Sequence, residues 1–181
     1  MRLFAAVELP AHVTSHLATA LAMVAPPKSA RAPWDPEANW HVTLAFYGEQ
    51  PACMVAELAD NLAEAASRTP RFELSLAGAG VFRHEVCWIG VADAADALGP
   101  LARSVRGSYA NPTQHTRNRF HVTIARPGRR SGLEDTMAAM SVYRGPAWEV
   151  EKITLFQSEL GKGIGGHPLY TALAHADLAA M

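Results

Sequence analysis

The hexapeptide His41-Val42-Thr43-Leu44-Ala45-Phe46 returns far down the chain as His121-Val122-Thr123-Ile124-Ala125-Arg126. Each copy alternates polar and apolar residues with the period of two of a half-buried strand, so His and Thr share one face while Val and Leu or Ile take the other. Two imidazoles that titrate near neutrality can supply an acid and a base to one site. A threonine hydroxyl two residues along the same face can donate a hydrogen bond to an anionic oxygen held between them. A phosphate diester suits this arrangement, and acid–base transfer to it is worth about 100- to 10,000-fold for each well-placed group without a metal. Phosphodiester cleavage by His41 and His121, with Thr43 and Thr123 on the phosphate, is therefore the leading expectation.

A third His-x-Thr, His12-Val13-Thr14, tests that reasoning. It follows Pro10 and opens a stretch rich in Ala and Leu, with apolar residues at Val13, Leu17, Leu21 and Val24, so it reads as helix. In a helix, positions i and i+2 lie roughly 200° apart. His12 and Thr14 should diverge, and His12 and His16 are expected on a helix surface.

The elements that must position the two matched pairs follow in order. Residues 2–8 read as a strand, 10–25 as a helix and 26–39 as a Pro-rich loop; the first motif strand spans about 40–47. An amphipathic helix is predicted over 52–67, strands over 72–76 and 86–91 about a turn near Arg83 and His84, and a helix over 93–109. A polar loop, 110–119, leads to the second motif strand, 120–126. After a Gly/Arg-rich loop come a short helix near 133–140, a long strand from Trp148 to Gln157, a glycine turn over 161–166 and a last strand, Leu169 to Leu173. Strand–helix–strand–helix thus occurs twice, with one motif strand in each half and no composition break between them. The expected fold is α+β and bilobal, one domain over 1–181, with two pseudo-symmetric lobes of antiparallel sheet plus helices around a central cleft.

Composition sets the limits. A chain of 181 residues, 49% hydrophobic, can bury a substantial core. The five apolar residues before Glu8 are too short a run to read as a signal peptide and no stretch approaches about 18 apolar residues, so a cytoplasmic protein that does not span a membrane is expected. Cys53 and Cys87 lack a zinc-like spacing and read as buried free thiols, and no metal or cofactor is implied. A net charge of −1 argues against coating nucleic acid by bulk attraction. Its distribution says more: no acidic residue lies between Asp96 and Glu134, where Arg103, Arg106, Arg117, Arg119, Arg126, Arg129 and Arg130 surround the second motif. Arginine's planar fork matches phosphate oxygens, so an anionic substrate is favoured. Trp34, Trp40, Trp88 and Trp148 read as structural.

The segments Arg2 to Pro10, Asn39 to Glu49, Gly80-Val81-Phe82, His121 to Arg126 and Leu155-Phe156-Gln157-Ser158-Glu159-Leu160-Gly161 together closely resemble the bacterial and archaeal RNA 2′,3′-cyclic phosphodiesterases, first named 2′-5′ RNA ligases, of the two-histidine phosphoesterase superfamily. The resemblance implies a bilobal protein that hydrolyses a terminal 2′,3′-cyclic phosphate to a 2′-phosphate without metal. It implies that His41 protonates the leaving 3′ oxygen, that His121 activates water, and that Thr43 and Thr123 hold the phosphate. The residues themselves leave acid and base unassigned. RNA ends or oligonucleotides carrying the cyclic phosphate, or cyclic nucleotides, are the implied partners, bound by a monomer. A ligase or 2′,5′-oligonucleotide diesterase using the same histidines is the alternative, and a non-catalytic module binding RNA ends a further one. Where the family usually has Pro before the second His, this chain has Phe120, which either fills core or meets a base. By strict alternation Ala45, Ala125 and Tyr47 fall on the cleft side, Tyr47 as a base contact. Arg126 lies off that side unless the strand bends near Pro127.

Overall fold

Apolar alternation in the strands and an apolar stripe on each helix draw the chain into one antiparallel sheet covered by four helices. The computed structural model describes residues 1–24, 34–82, 86–109, 119–126 and 133–180. The strands are β1 (Arg2–Glu8), β2 (His41–Glu49), β3 (Phe72–Phe82), β4 (Val86–Ala92), β5 (His121–Ala125), β6 (Arg144–Val150), β7 (Lys152–Glu159) and β8 (Leu169–Asp177). The helices are α1 (Ala11–Val24), α2 (Met54–Ser67), α3 (Leu98–Arg106) and α4 (Glu134–Ala139). No helix among the described residues is long and apolar enough to cross a membrane.

The sheet runs β6-β3-β4-β5-β2-β1-β7-β8. It divides at the β2/β5 pair into two four-stranded halves of matching order, each motif strand innermost. The halves of the sheet are not the halves of the chain. β7 returns to pair with β1 and β8 pairs with β7 at the edge, so one half-sheet is built from both chain ends. The long strand expected from Trp148 to Gln157 is two strands parted at Glu151, and they serve opposite half-sheets. One residue spans under about 4 Å, so the sheet must curl until β6 approaches β7. A bridge between Pro70 and Ala179 ties the start of β3 to the end of β8.

Val13, Leu17 and Leu21 of α1, Leu58 and Leu62 of α2, and Leu101 and Val105 of α3 pack with Val42, Leu44, Val122 and Ile124 in one apolar core. Helices therefore cover the face of the motif strands opposite His and Thr. His12 lies exposed in α1 beside the buried Val13, as expected for that decoy. Helix α3 is shorter than its apolar pattern: its first turn begins at Leu98, whose N–H donates to Asp93 Oδ2 at 2.7 Å. Cys87 is a buried free thiol, but Cys53 is exposed, because it stands at the start of α2 rather than on its inner face. The expected turn at Arg83 and His84, the polar loop before residue 119 and Arg117, Arg129 and Arg130 lie outside the described residues.

Candidate active site

The two motif strands meet directly, with Val42 opposite Val122. Continuing that antiparallel register sets His41 opposite Thr123 and Thr43 opposite His121, all on the face away from the helices. The two histidines are then diagonal neighbours, a relation that puts the residues ~7–8 Å apart and their Cβ atoms somewhat closer, leaving room for one phosphate between the rings.

Their surroundings repeat across the pair. His41 Nδ1 lies 2.7 Å from the Asn39 carbonyl and His121 Nδ1 lies 2.6 Å from the Arg119 carbonyl. A carbonyl only accepts, so each Nδ1 carries the hydrogen and each Nε2 is the nitrogen available to substrate. His41 packs against Phe4 of β1 at 4.9 Å and edge-on to Tyr170 of β8 at 5.3 Å. His121 packs edge-on to Phe82 of β3 at 5.0 Å and near Trp88 of β4 at 6.5 Å, with the Arg119 guanidinium 4.2 Å above the Trp88 ring. Burial lowers the His41 pKa to about 4, helped by the charge of Arg126 and by His121. Burial also lowers His121, helped by Arg119 and Arg126. In both, the carbonyl bond pulls the other way. Among the described residues, neither the Thr43 nor the Thr123 hydroxyl is engaged in a hydrogen bond.

Each motif strand carries a bulge at the same point. Ala5 pairs with Ala45 and Ala6 with Thr43, leaving Leu44 unopposed; Cys87 pairs with Ala125 and Trp88 with Thr123, leaving Ile124 unopposed. The extra residue interrupts the period of two. Both bulged carbonyls are satisfied from outside the ladder, Leu44 by Arg106 Nε at 3.3 Å and Ile124 by the Asp35 N–H at 2.7 Å.

These bulges overturn three expectations from strict alternation. Ala45 and Ala125 are buried in the core rather than leaving space in the cleft. Tyr47, unopposed at a second irregularity of β2, is 3% exposed and donates its hydroxyl to the Val105 carbonyl at 3.0 Å, so it does not reach the cleft. Arg126 does turn to the cleft side, following the bulge at Ile124; Pro127 lies outside the described residues. Its charge acts on both imidazoles, and its Nη1 donates to the buried Asp35 at 2.7 Å. Phe120 packs half-buried against the core.

A cavity of about 480 Å³ opens beside His41, walled by Phe4, Phe156, Tyr170, Glu8 and Glu37. Its size suits a nucleoside. The residues that pattern reading missed are Phe4, Phe82, Tyr170 and Asp35. They lie on other strands or in the Pro-rich loop, where no local period marks them. Among the described residues, no three His, Cys, Asp or Glu side chains are grouped to hold a metal ion.

A family model described as the 2′-5′ RNA ligase superfamily matches residues 14–162. An RNA 2′,3′-cyclic phosphodiesterase of Escherichia coli is 33% identical over 169 residues, covering 90% of this chain and 89% of that protein. Another of the same name, from Geobacillus stearothermophilus, is 32% identical over 142 residues, 71% of this chain but 43% of that longer protein. The crystal structure of E. coli LigT complexed with 3′-AMP superposes with a TM-score of 0.72 at 28% identity, covering 98% of this chain and 96% of that one.

Proposed function

This chain belongs to the 2′-5′ RNA ligase superfamily, and from that premise we infer that it is an RNA 2′,3′-cyclic phosphodiesterase, hydrolysing a terminal cyclic phosphate to a 2′-phosphate. The observation that carries the reading is the matched orientation of His41 and His121, each with Nδ1–H committed to a carbonyl and Nε2 left for proton transfer. That is the arrangement an acid–base pair requires. The Escherichia coli and Geobacillus stearothermophilus relatives bear the same activity in their names.

The cavity supports an assignment of roles that the near-symmetric sequence left open. The leaving 3′ oxygen stays on the ribose, so the acid belongs on the nucleoside's side of the phosphorus, and the cavity borders His41. His41 Nε2–H then protonates O3′ as the P–O3′ bond breaks, while His121 Nε2 takes a proton from the water that forms the new P–O bond in line. One proton enters at His121 and one leaves from His41, and the phosphate remains on O2′. Thr43 and Thr123 donate to the non-bridging oxygens, and Arg126 places positive charge beside them. Both histidines come from one chain, which supports action as a monomer; a cytoplasmic place of action accords with the composition.

The test incubates the protein with an oligonucleotide ending in a 2′,3′-cyclic phosphate, with and without an acceptor bearing a 5′ hydroxyl, in buffer with and without chelator. A 2′-phosphate product, unaffected by chelator, is expected. A ligated product in preference to hydrolysis, or loss of turnover on chelation, would contradict the proposal.

A further inference from the structure

Asp35 is a buried charge next to the site that the reaction as described does not use. It stands in the connection ahead of β2 and is 6% exposed, a degree of burial at which a carboxylate requires partners. Its backbone N–H donates to the bulged Ile124 carbonyl of β5 at 2.7 Å. Its Oδ2 accepts from Arg126 Nη1 at 2.7 Å, and its Oδ1 lies 3.2 Å from His167 Nδ1. Arg126 Nη2 also reaches the Tyr170 hydroxyl at 3.5 Å, and Tyr170 lies edge-on to His41. One residue thus joins the approach to β2, the bulge of β5, the turn before β8 and the guanidinium at the cleft.

We propose that Asp35 is a positioning residue for Arg126: its carboxylate, shared with His167, holds the guanidinium at the cleft beside both imidazoles as a pre-set ligand for the phosphate oxygens of the bound nucleotide. An unrestrained arginine loses rotamer freedom each time it binds, whereas one clamped by a buried carboxylate has lost it on folding. The guanidinium has five N–H donors, and among the described residues Asp35 and Tyr170 engage one each, so others can turn to an anion. The clamp also makes the site lopsided. Phe46, beneath the Arg2 guanidinium at 4.6 Å, holds the place in β2 that Arg126 holds in β5, so this charge enters from the β5 side.

The inference rests on the phosphodiesterase reading, so its test has one readout with turnover and one without. The steady-state constants for adenosine 2′,3′-cyclic monophosphate and the Kd for adenosine 2′-monophosphate are measured for the parent, Asp35→Asn, Asp35→Glu, Arg126→Met and the Asp35→Asn/Arg126→Met pair. Asp35→Asn keeps the shape and the backbone N–H but removes the charge. It is expected to lower kcat/KM by roughly 5- to 30-fold, chiefly through KM, and to weaken nucleotide binding by a similar factor. Asp35→Glu should recover part of that loss. Arg126→Met should cost at least as much, and the paired variant no more than Arg126→Met alone. The proposal is overturned if the Asp35→Asn penalty persists in full without Arg126, if it falls on kcat with KM and Kd unchanged, or if the parent binds no nucleotide. A parent that binds with the expected coupling but does not turn over would refute the hydrolase reading and leave the role of Asp35 standing.

Discussion

Each imidazole of the pair spends its Nδ1–H on a carbonyl two residues upstream, so burial and neighbouring charge tune the proton affinity of Nε2 alone. Both act downward, to about 4 at His41, and the free protein holds two neutral rings at pH 7. The acid must regain its proton, and the bound phosphate anion supplies the field that favours it. The pH dependence of kcat/KM reports the free protein and that of kcat the complex. Both should be bell-shaped, with the kcat/KM optimum on the acid side of 6.5 and the kcat optimum at higher pH; the reverse order in steady-state profiles would refute this account of the charge. Replacing His41 or His121 by Ala should lower kcat by about 100- to 10,000-fold. Thr43→Val or Thr123→Val should cost roughly 10- to 100-fold, the worth of one hydrogen bond to a charged group, and His12→Ala should match the parent.

At the level of elements, the two bulges decide what faces the cleft. A bulge exists only relative to a partner strand, as two residues opposite one, and nothing within His-Val-Thr-Leu-Ala-Phe announces it. Strict alternation was therefore right about the strand face of His41, Thr43, His121 and Thr123, which precede the bulges, and wrong for Ala45, Tyr47, Ala125 and Arg126, which follow them. Arg106, one of the arginines that suggested an anionic ligand, serves instead to satisfy the Leu44 carbonyl. Arg106→Met should destabilise the fold by about 1–3 kcal/mol, the cost of leaving that carbonyl unsatisfied, and lower turnover, as read by chemical denaturation and a cyclic-nucleotide assay. Gly80 faces Trp88 across β3 and β4, and a Cβ there would fall 2.4 Å from the Trp88 ring. Gly80→Ala should push Trp88 toward His121 and reduce kcat, whereas Gly161→Ala, whose Cβ meets no neighbour within 4 Å, should cost only the backbone strain of its φ of +73°.

For the whole molecule, the two lowered imidazoles link the site to stability. A folded pKa below the unfolded value of about 6.5 favours the neutral ring, so that contribution is full above pH 6.5 and lost as pH falls toward about 4 at His41. The loss is about 2 kcal/mol by pH 5, or roughly 4–8 °C in Tm for a chain of this size, and about 3 kcal/mol near pH 4. Thermal denaturation at pH 7.5 and pH 5 should show it; His41→Asn should flatten the difference, and adenosine 2′-monophosphate should reduce it by favouring the charged ring. A parent whose Tm is unchanged over that range would contradict the depressed pKa of His41. By itself, the sequence determined the α+β class, most of the strands and helices, the shared strand face of His and Thr in each motif and the helical nature of the decoy at His12, because each rests on a local period of side chains. Tertiary structure alone decided that β7 and β8 complete the first half-sheet, that Arg126 turns inward while Tyr47 turns away, that the nucleoside-sized cavity lies on the His41 side, and that Asp35 meets Arg126. These depend on pairing and curl between segments remote in the chain, and such contacts leave no period along the chain for the residues to display.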